Sequence, residues 1–244
     1  MTISIQDILP DPNYRYGDSG QDNTGPFGPG FKAIKLSSET SILNSRTNSG
    51  RIVSRHGGSH AFKISISYNP MLREQFEPVY NFLLSRGISL KPFFISLPHL
   101  RASRNSTFDT YLQTGGTPPQ ILAQGDTSGG STSILCNGFT SNSGEPKPGD
   151  LFHIEDISST QHKKAYQVTR VETNAAGTFE GTQPGVNQRK IHFFPPLSKQ
   201  IFQNGELVFV KPLIRVVMDT PIQEYSLNEN GLYKFSLSLK EAQV

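Results

Sequence analysis

The clearest pattern in the chain is a strict alternation at residues 61–68. Phe62, Ile64, Ile66 and Tyr68 face one way, and Lys63, Ser65 and Ser67 face the other, the period of a half-buried strand. The same style returns near the C-terminus, where Tyr233, Phe235, Leu237 and Leu239 alternate with Lys234, Ser236, Ser238 and Lys240. The match predicts that the two ends of the chain share one sheet. Asn69-Pro70 reads as a helix start, and Leu72, Phe76, Val79, Tyr80 and Leu83 follow at helical spacing. Gly87 supplies a stop, while Pro78 inside the pattern predicts a kink or a break. A strand at residues 90–97 follows. Residues 98–131 carry few large apolar side chains and read as a linker or exposed excursion.

Beyond them, short apolar runs recur at 133–139, 150–155, 165–171 and 190–194. Turn chemistry bounds them at Ser143-Gly144, Pro148-Gly149-Asp150, Ala176-Gly177 and Pro195-Pro196. Several short strands so punctuated predict a small antiparallel barrel or sandwich. Residues 206–210 and 213–218 read as strands, and Asn228-Glu229-Asn230-Gly231 as a hairpin turn. The predicted layout is therefore mainly β. It has an extended N-terminal arm (1–44), a discontinuous core with one helix (45–111 and 205–244), and an inserted β module (112–204). The arm is rich in Asn, Asp, Gly and Pro and has few anchors, among them Ile5, Ile8, Leu9, Tyr14 and Tyr16. It reads either as a leader or as an arm that orders on a neighbouring subunit.

Composition narrows the classes. Only 18% of the 244 residues are charged, and the polarity comes from Ser, Thr, Asn and Gln, against a coiled coil or helical bundle. There is no apolar run long enough for a transmembrane helix, and the N-terminus lacks the pattern of a secretory signal. The single cysteine, Cys136, excludes an internal disulfide and a Cys-based zinc site. A reducing cytosol, or a particle assembled there, follows. A formal net charge of +3 is too weak to imply nucleic acid.

The search for reaction chemistry returns no catalytic residue, cofactor site or metal site. No nucleophile elbow, phosphate loop or dinucleotide fingerprint is present. The prolines of Gly25–Gly30 remove amide donors that a phosphate cradle needs. Cys136, inside a predicted strand, reads as a buried inert thiol. His56 and His60 flank Gly57-Gly58-Ser59, which disfavours the helix that an i, i+4 metal pair needs. His153 and His162 are isolated, and the adjacent Glu155 and Asp156 point to opposite faces of a strand. With no Trp, the 16 Phe and 8 Tyr are explained mostly by core packing. Residues 45–60 are less routine. They gather Arg46, Arg51, Arg55, His56 and His60 just before the first strong strand. The bland reading is a solvated loop. The alternative is a basic contact for a neighbour's acidic groups, and nucleic acid is a weaker third.

The order of these segments resembles minor tail and distal-tail proteins of tailed bacteriophages. The polar Ser45–Arg51 loop, the strand Phe62–Tyr68 with Asn69-Pro70 and its helix, and the closing Gly231–Leu237 with Glu241-Ala242 carry the likeness. So do Pro148-Gly149-Asp150, Ala165–Thr169 and Phe194-Pro195-Pro196-Leu197 in the insertion. The resemblance covers about residues 45–243 and is one of order and spacing. It implies a split β-barrel core of the tail-tube type that joins edge to edge into a ring, usually of six subunits, around a DNA channel. The implied role is structural and without catalysis: a virion tail ring, assembled in the host cytoplasm, that joins the tail tube protein to baseplate hub or wedge proteins. DNA only passes through the lumen, and no membrane is involved. Under this reading Arg46, Arg51 and Arg55 pair with a neighbour, and Tyr14 and Tyr16 anchor the arm. The competing expectations are a host-surface module that binds glycan or protein, and a neck or completion ring.

Overall fold

The computed structural model of the chain describes residues 7–10, 28, 30–87, 91–114, 119–155, 164–220 and 224–242, with backbone alone at 41, 42 and 55–59. It is mainly β. Two compact units are present, one built from the chain up to Phe94 and again from Arg215, the other from Ile95–Ile214. The boundaries expected at 111/112 and 204/205 thus fall at 94/95 and 214/215. The cause is in the apolar residues of 98–131, which are too sparse to read as a pattern but which pack into the second unit's core.

The first unit is a sheet with one helix. Strands β1 (Phe31–Arg46) and β2 (Ile52–Tyr68) form a long hairpin, followed by helix α1 (Arg73–Ser85) and β3 (Phe93–Ile95). Strands β10 (Ile214–Met218), β11 (Tyr225–Leu227) and β12 (Tyr233–Glu241) complete it, in the order β1-β2-β12-β10-β3 with β11 beside β12. The two alternating segments are therefore adjacent: Ser67 lies opposite Ser236 and Ile64 opposite Leu239. Their apolar faces are buried with Phe76, Val79 and Leu83 of α1, while the Lys and Ser positions face outward. Residues 31–44 belong to β1, so the expected arm is corrected over that stretch. Helix α1 starts at Arg73, three residues beyond Pro70, because Met71 and Tyr233 exchange backbone hydrogen bonds of 2.9 Å and hold the chain extended. It runs through Pro78 without a break. The amide that Pro78 lacks would have bonded a first-turn carbonyl, and the buried face of the helix outweighs that single loss.

The second unit is a closed six-stranded antiparallel barrel. Its strands are β4 (Leu122–Ala123), β5 (Ser133–Asn137), β6 (Leu151–Glu155), β7 (Ala165–Glu172), β8 (Arg189–Phe194) and β9 (Glu206–Val208), in the order β4-β5-β8-β7-β6-β9. Closure leaves no free edge. Phe152 stacks on Tyr166 at 5.7 Å between ring centroids and meets Phe209 at 5.1 Å. Residues 98–114 are no linker. A short 3-10 turn at Pro98–Leu100 leads into α2 (Ser106–Gln113), whose amide at Thr107 is capped by the Asn105 side chain. Phe108 of α2 stacks on Phe139 and meets Phe209 edge-on. Gly138 is required where the chain passes Gln120, since a Cβ there would lie 2.2 Å from its carbonyl oxygen.

Asp150 ties α2 to the barrel. Its buried carboxylate accepts hydrogen bonds from the Ser103 hydroxyl, from Arg104 N at 3.0 Å and from Lys147 N at 2.9 Å. Replacing it with Ala strands these donors, so Asp150→Ala should lower stability by about 2–3 kcal/mol. Urea denaturation followed by tyrosine fluorescence checks this, with Glu229→Ala as an exposed-carboxylate reference.

Candidate functional site at the tip of the long hairpin

The β1–β2 hairpin is longer than the sheet that supports it. β12 pairs with β2 only over Lys63–Ser67. At the end of β12 the Glu241 carboxylate takes the Phe62 amide at 3.1 Å, in place of a further strand-to-strand bond. Among the described residues, β1 and β2 beyond this point pair with each other alone, through a bulge between Thr40 and Ile42, out to Arg46 opposite Ile52. At about 3.3 Å per residue, the six steps past the Thr40–His60 pair extend roughly 20 Å. Buried His60 marks the root, its Nε2 2.8 Å from the Ser38 hydroxyl and its ring edge-on to Phe62 at 4.7 Å.

The tip is closed by its own polar groups. Thr47 N donates to the Arg51 carbonyl at 2.9 Å, Arg51 N donates to the Thr47 hydroxyl at 3.1 Å, and Gly50 N donates to the Thr47 carbonyl at 2.9 Å. Gly50 sits at φ +81°, which favours glycine there. This turn sets Arg46 and Arg51 at its two flanks, both exposed and without an ion-pair partner among the described residues. Leu43 is 66% exposed, Ile52 68% and Val53 38%. By register Leu43 and Val53 share one face of the ribbon, and Ile52 shares the other with Arg46. Both faces of the tip therefore hold apolar and cationic groups in solvent.

The solvated loop expected at residues 45–60 is thus corrected to a β ribbon. The structure brings Arg46 and Arg51 together. Arg55 stands opposite Leu43 in the backbone register, but its side chain lies outside the described residues, as do Tyr14 and Tyr16 altogether. Sequence reading found the arginines and missed Leu43, Ile52 and Val53. The Thr47-Asn48-Ser49-Gly50 turn, flanked by β-branched Ile42, Ile52 and Val53, was the available signal.

The barrel unit holds the other ionisable groups of note. Burial pushes the Glu172 carboxyl up, but a 2.8 Å hydrogen bond from His192, a backbone hydrogen bond and nearby Lys190 outweigh it and set it below the usual value. Arg170, 3.6 Å from Glu172, also holds Glu180 at 3.0 Å, and the group serves as a structural ion cluster. Cys136 is fully buried, and burial pushes its thiol far up, so it is not a nucleophile at neutral pH. Asp156 and His162 lie outside the described residues. Among those described, no three His, Cys, Asp or Glu side chains gather to hold a metal. Glu155 instead stands directly opposite Glu206 on the neighbouring strand. Neither a family model nor a curated protein matches this chain.

The Glu155–Glu206 pair has a pH consequence. Burial, then the Glu155 charge, raises the Glu206 carboxyl above its ordinary value of 4.5, against a hydrogen bond from Gln120. A raised carboxyl binds its proton more tightly in the folded state, so its ionised form costs stability at neutral pH. Glu206→Gln should stabilise the protein at pH 7 by about 0.2–1 kcal/mol, the range for like charges directly opposite. The gain should fade as pH falls through 4.5, and paired urea denaturation curves at pH 7 and pH 3 test both signs.

Proposed function

We propose that this chain is a structural virion protein of a phage tail. In this reading it forms a ring, of the distal-tail or tube-initiator type, that joins the tail tube to the baseplate or hub around the DNA channel. It carries out no catalysis. One observation supports the reading above others: the ribbon that leaves the sheet with Leu43, Ile52, Val53, Arg46 and Arg51 exposed at its tip. An isolated two-stranded ribbon is marginal in water. Exposed apolar residues on both its faces are explained by a surface that covers them. Docked between copies of the chain, the apolar groups would be buried and the arginines would meet carboxylates, a directed and bidentate contact. Edge-to-edge ring closure would also pair the edge of β1 that no described strand covers.

Light scattering over a concentration series tests this. The wild type should grow from the 26.9 kDa chain toward a closed oligomer. Leu43→Ser with Ile52→Ser, and separately Arg46→Ala with Arg51→Ala and Arg55→Ala, should shift that growth to at least ten-fold higher concentration. Both variants should keep monomer stability within about 0.5 kcal/mol, as surface changes do. Growth identical to wild type in both variants, or a wild type that stays monomeric at the highest concentration, contradicts the proposal.

A further inference from the structure

The hairpin's other end carries a different surface. β2 and β12 pair in register as far as Ser67 and Ser236 and meet again at the Met71–Tyr233 bridge. Three residues of one chain segment there face two of the other, and one of them, Pro70, has no amide to donate. The strands part, and a cleft of about 480 Å³ opens beside β11. Its size falls in the range of small-molecule sites, about 300–1,000 Å³.

We propose that this cleft binds an acidic sugar unit, one that bears a carboxylate or a phosphate. The lining states the chemistry. Lys32 and Lys234 line it and have no ion-pair partner among the described residues. They supply the charge for the acidic group. The hydroxyls of Ser67, Ser226 and Ser236 line the same cleft. Ser67 and Ser236 stand opposite each other, and Ser226 stands opposite Lys234, so the three hydroxyls and the Lys234 ammonium share the outward face of the sheet. Glu224 adds an acceptor for sugar hydroxyls. Tyr225 lines the cleft too, but it alternates with Ser226 and stands opposite buried Phe235, so its ring lies on the α1 face of the sheet, away from the hydroxyls. There it packs on Phe76, Tyr80 and Tyr233 at centroid distances of 5.0, 5.5 and 5.6 Å, which fixes the strand that carries Glu224 and Ser226 into the cleft. Little ordering would remain to be done on binding. Tyr68 lines the cleft too, with a buried hydroxyl that has no hydrogen-bond partner among the described residues, and buried polar groups ordinarily have one.

Two alternatives fit less well. An apolar ligand would leave two ammonium groups and a carboxylate desolvated without partners. A nucleic acid strand draws its affinity from many phosphate contacts and successive stacked bases, and this cleft offers two lysines and no ring on its outward face. All lining residues come from one unit of one chain, so the proposal stands apart from the ring reading.

Isothermal titration calorimetry on the full chain tests it. The probes are a galacturonate tetramer, a glycerol-phosphate oligomer, a neutral glucose tetramer and oligo-dT. At least one acidic oligomer should bind, and at least ten-fold more tightly than the neutral tetramer. Lys32→Ala with Lys234→Ala, both exposed positions, should weaken that binding at least ten-fold. The Leu43→Ser/Ile52→Ser tip variant should bind as the wild type does. Three results overturn the proposal: neither acidic oligomer binds at millimolar concentration, the lysine pair variant binds as tightly as wild type, or oligo-dT binds more tightly than both acidic oligomers and depends on the same lysines.

Discussion

Between Lys63 and Ser67, β2 is hydrogen-bonded to β1 on one edge and to β12 on the other. That stretch of double pairing fixes most of what the sheet unit does. It brings the two ends of the chain together and lays Ile64 and Ile66 beside Leu237 and Leu239, all buried. The register then allows no slip, because a shift of one residue would turn every buried side chain outward. Both special surfaces lie where the double pairing stops. At one end Glu241 takes the Phe62 amide and the hairpin goes on as a bare ribbon. At the other end Pro70 and an extra residue part the strands, and the cleft opens.

The same sheet explains how a whole barrel is accommodated within the chain. The barrel unit leaves after β3 and returns at β10, and these two strands are neighbours in the sheet. Its ends are thus held together by sheet hydrogen bonds whatever lies between them, the condition under which insertions are tolerated. The barrel closes on its own strands and fills its interior with Phe152, Tyr166, Phe193 and Phe209. Each unit therefore has its own core.

What the sequence reveals depends on whether a segment has one buried face. Residues 61–68 and 233–239 do, and alternation exposes both. The helix around Phe76, Val79 and Leu83 does as well, and the short barrel strands announce themselves by their turns. The outer ribbon has no buried face among its described side chains at 43–46 and 52–54. Its residues obey no binary pattern, and 45–60 reads as loop for that reason. Residues 98–114 are hidden differently, since a short helix is anchored by just Phe108 and Leu112 with half-buried Tyr111, and only Asn105 as a cap announces it. At the tip, the two flanking arginines were legible as residue types, and the turn that joins them was not. The cleft was illegible, because four separated stretches, around residues 32, 67–70, 224–226 and 234–236, meet there only through strand register.

The two surfaces sit at opposite ends of one hairpin, with Lys32 and Arg46 fourteen positions apart along β1 (46 − 32), or roughly 45 Å at the usual rise per residue. Their chemistries differ as their shapes do. The tip is the end of a two-stranded ribbon, with exposed apolar side chains on both faces and Arg46 and Arg51 at its turn. The cleft is concave, polar and small. A tip group buried by association would not reach the cleft, and a small ligand in the cleft would not reach the tip. The rigid, doubly paired stretch between them separates the two surfaces. A chain that assembles through one end therefore remains free to hold a ligand at the other.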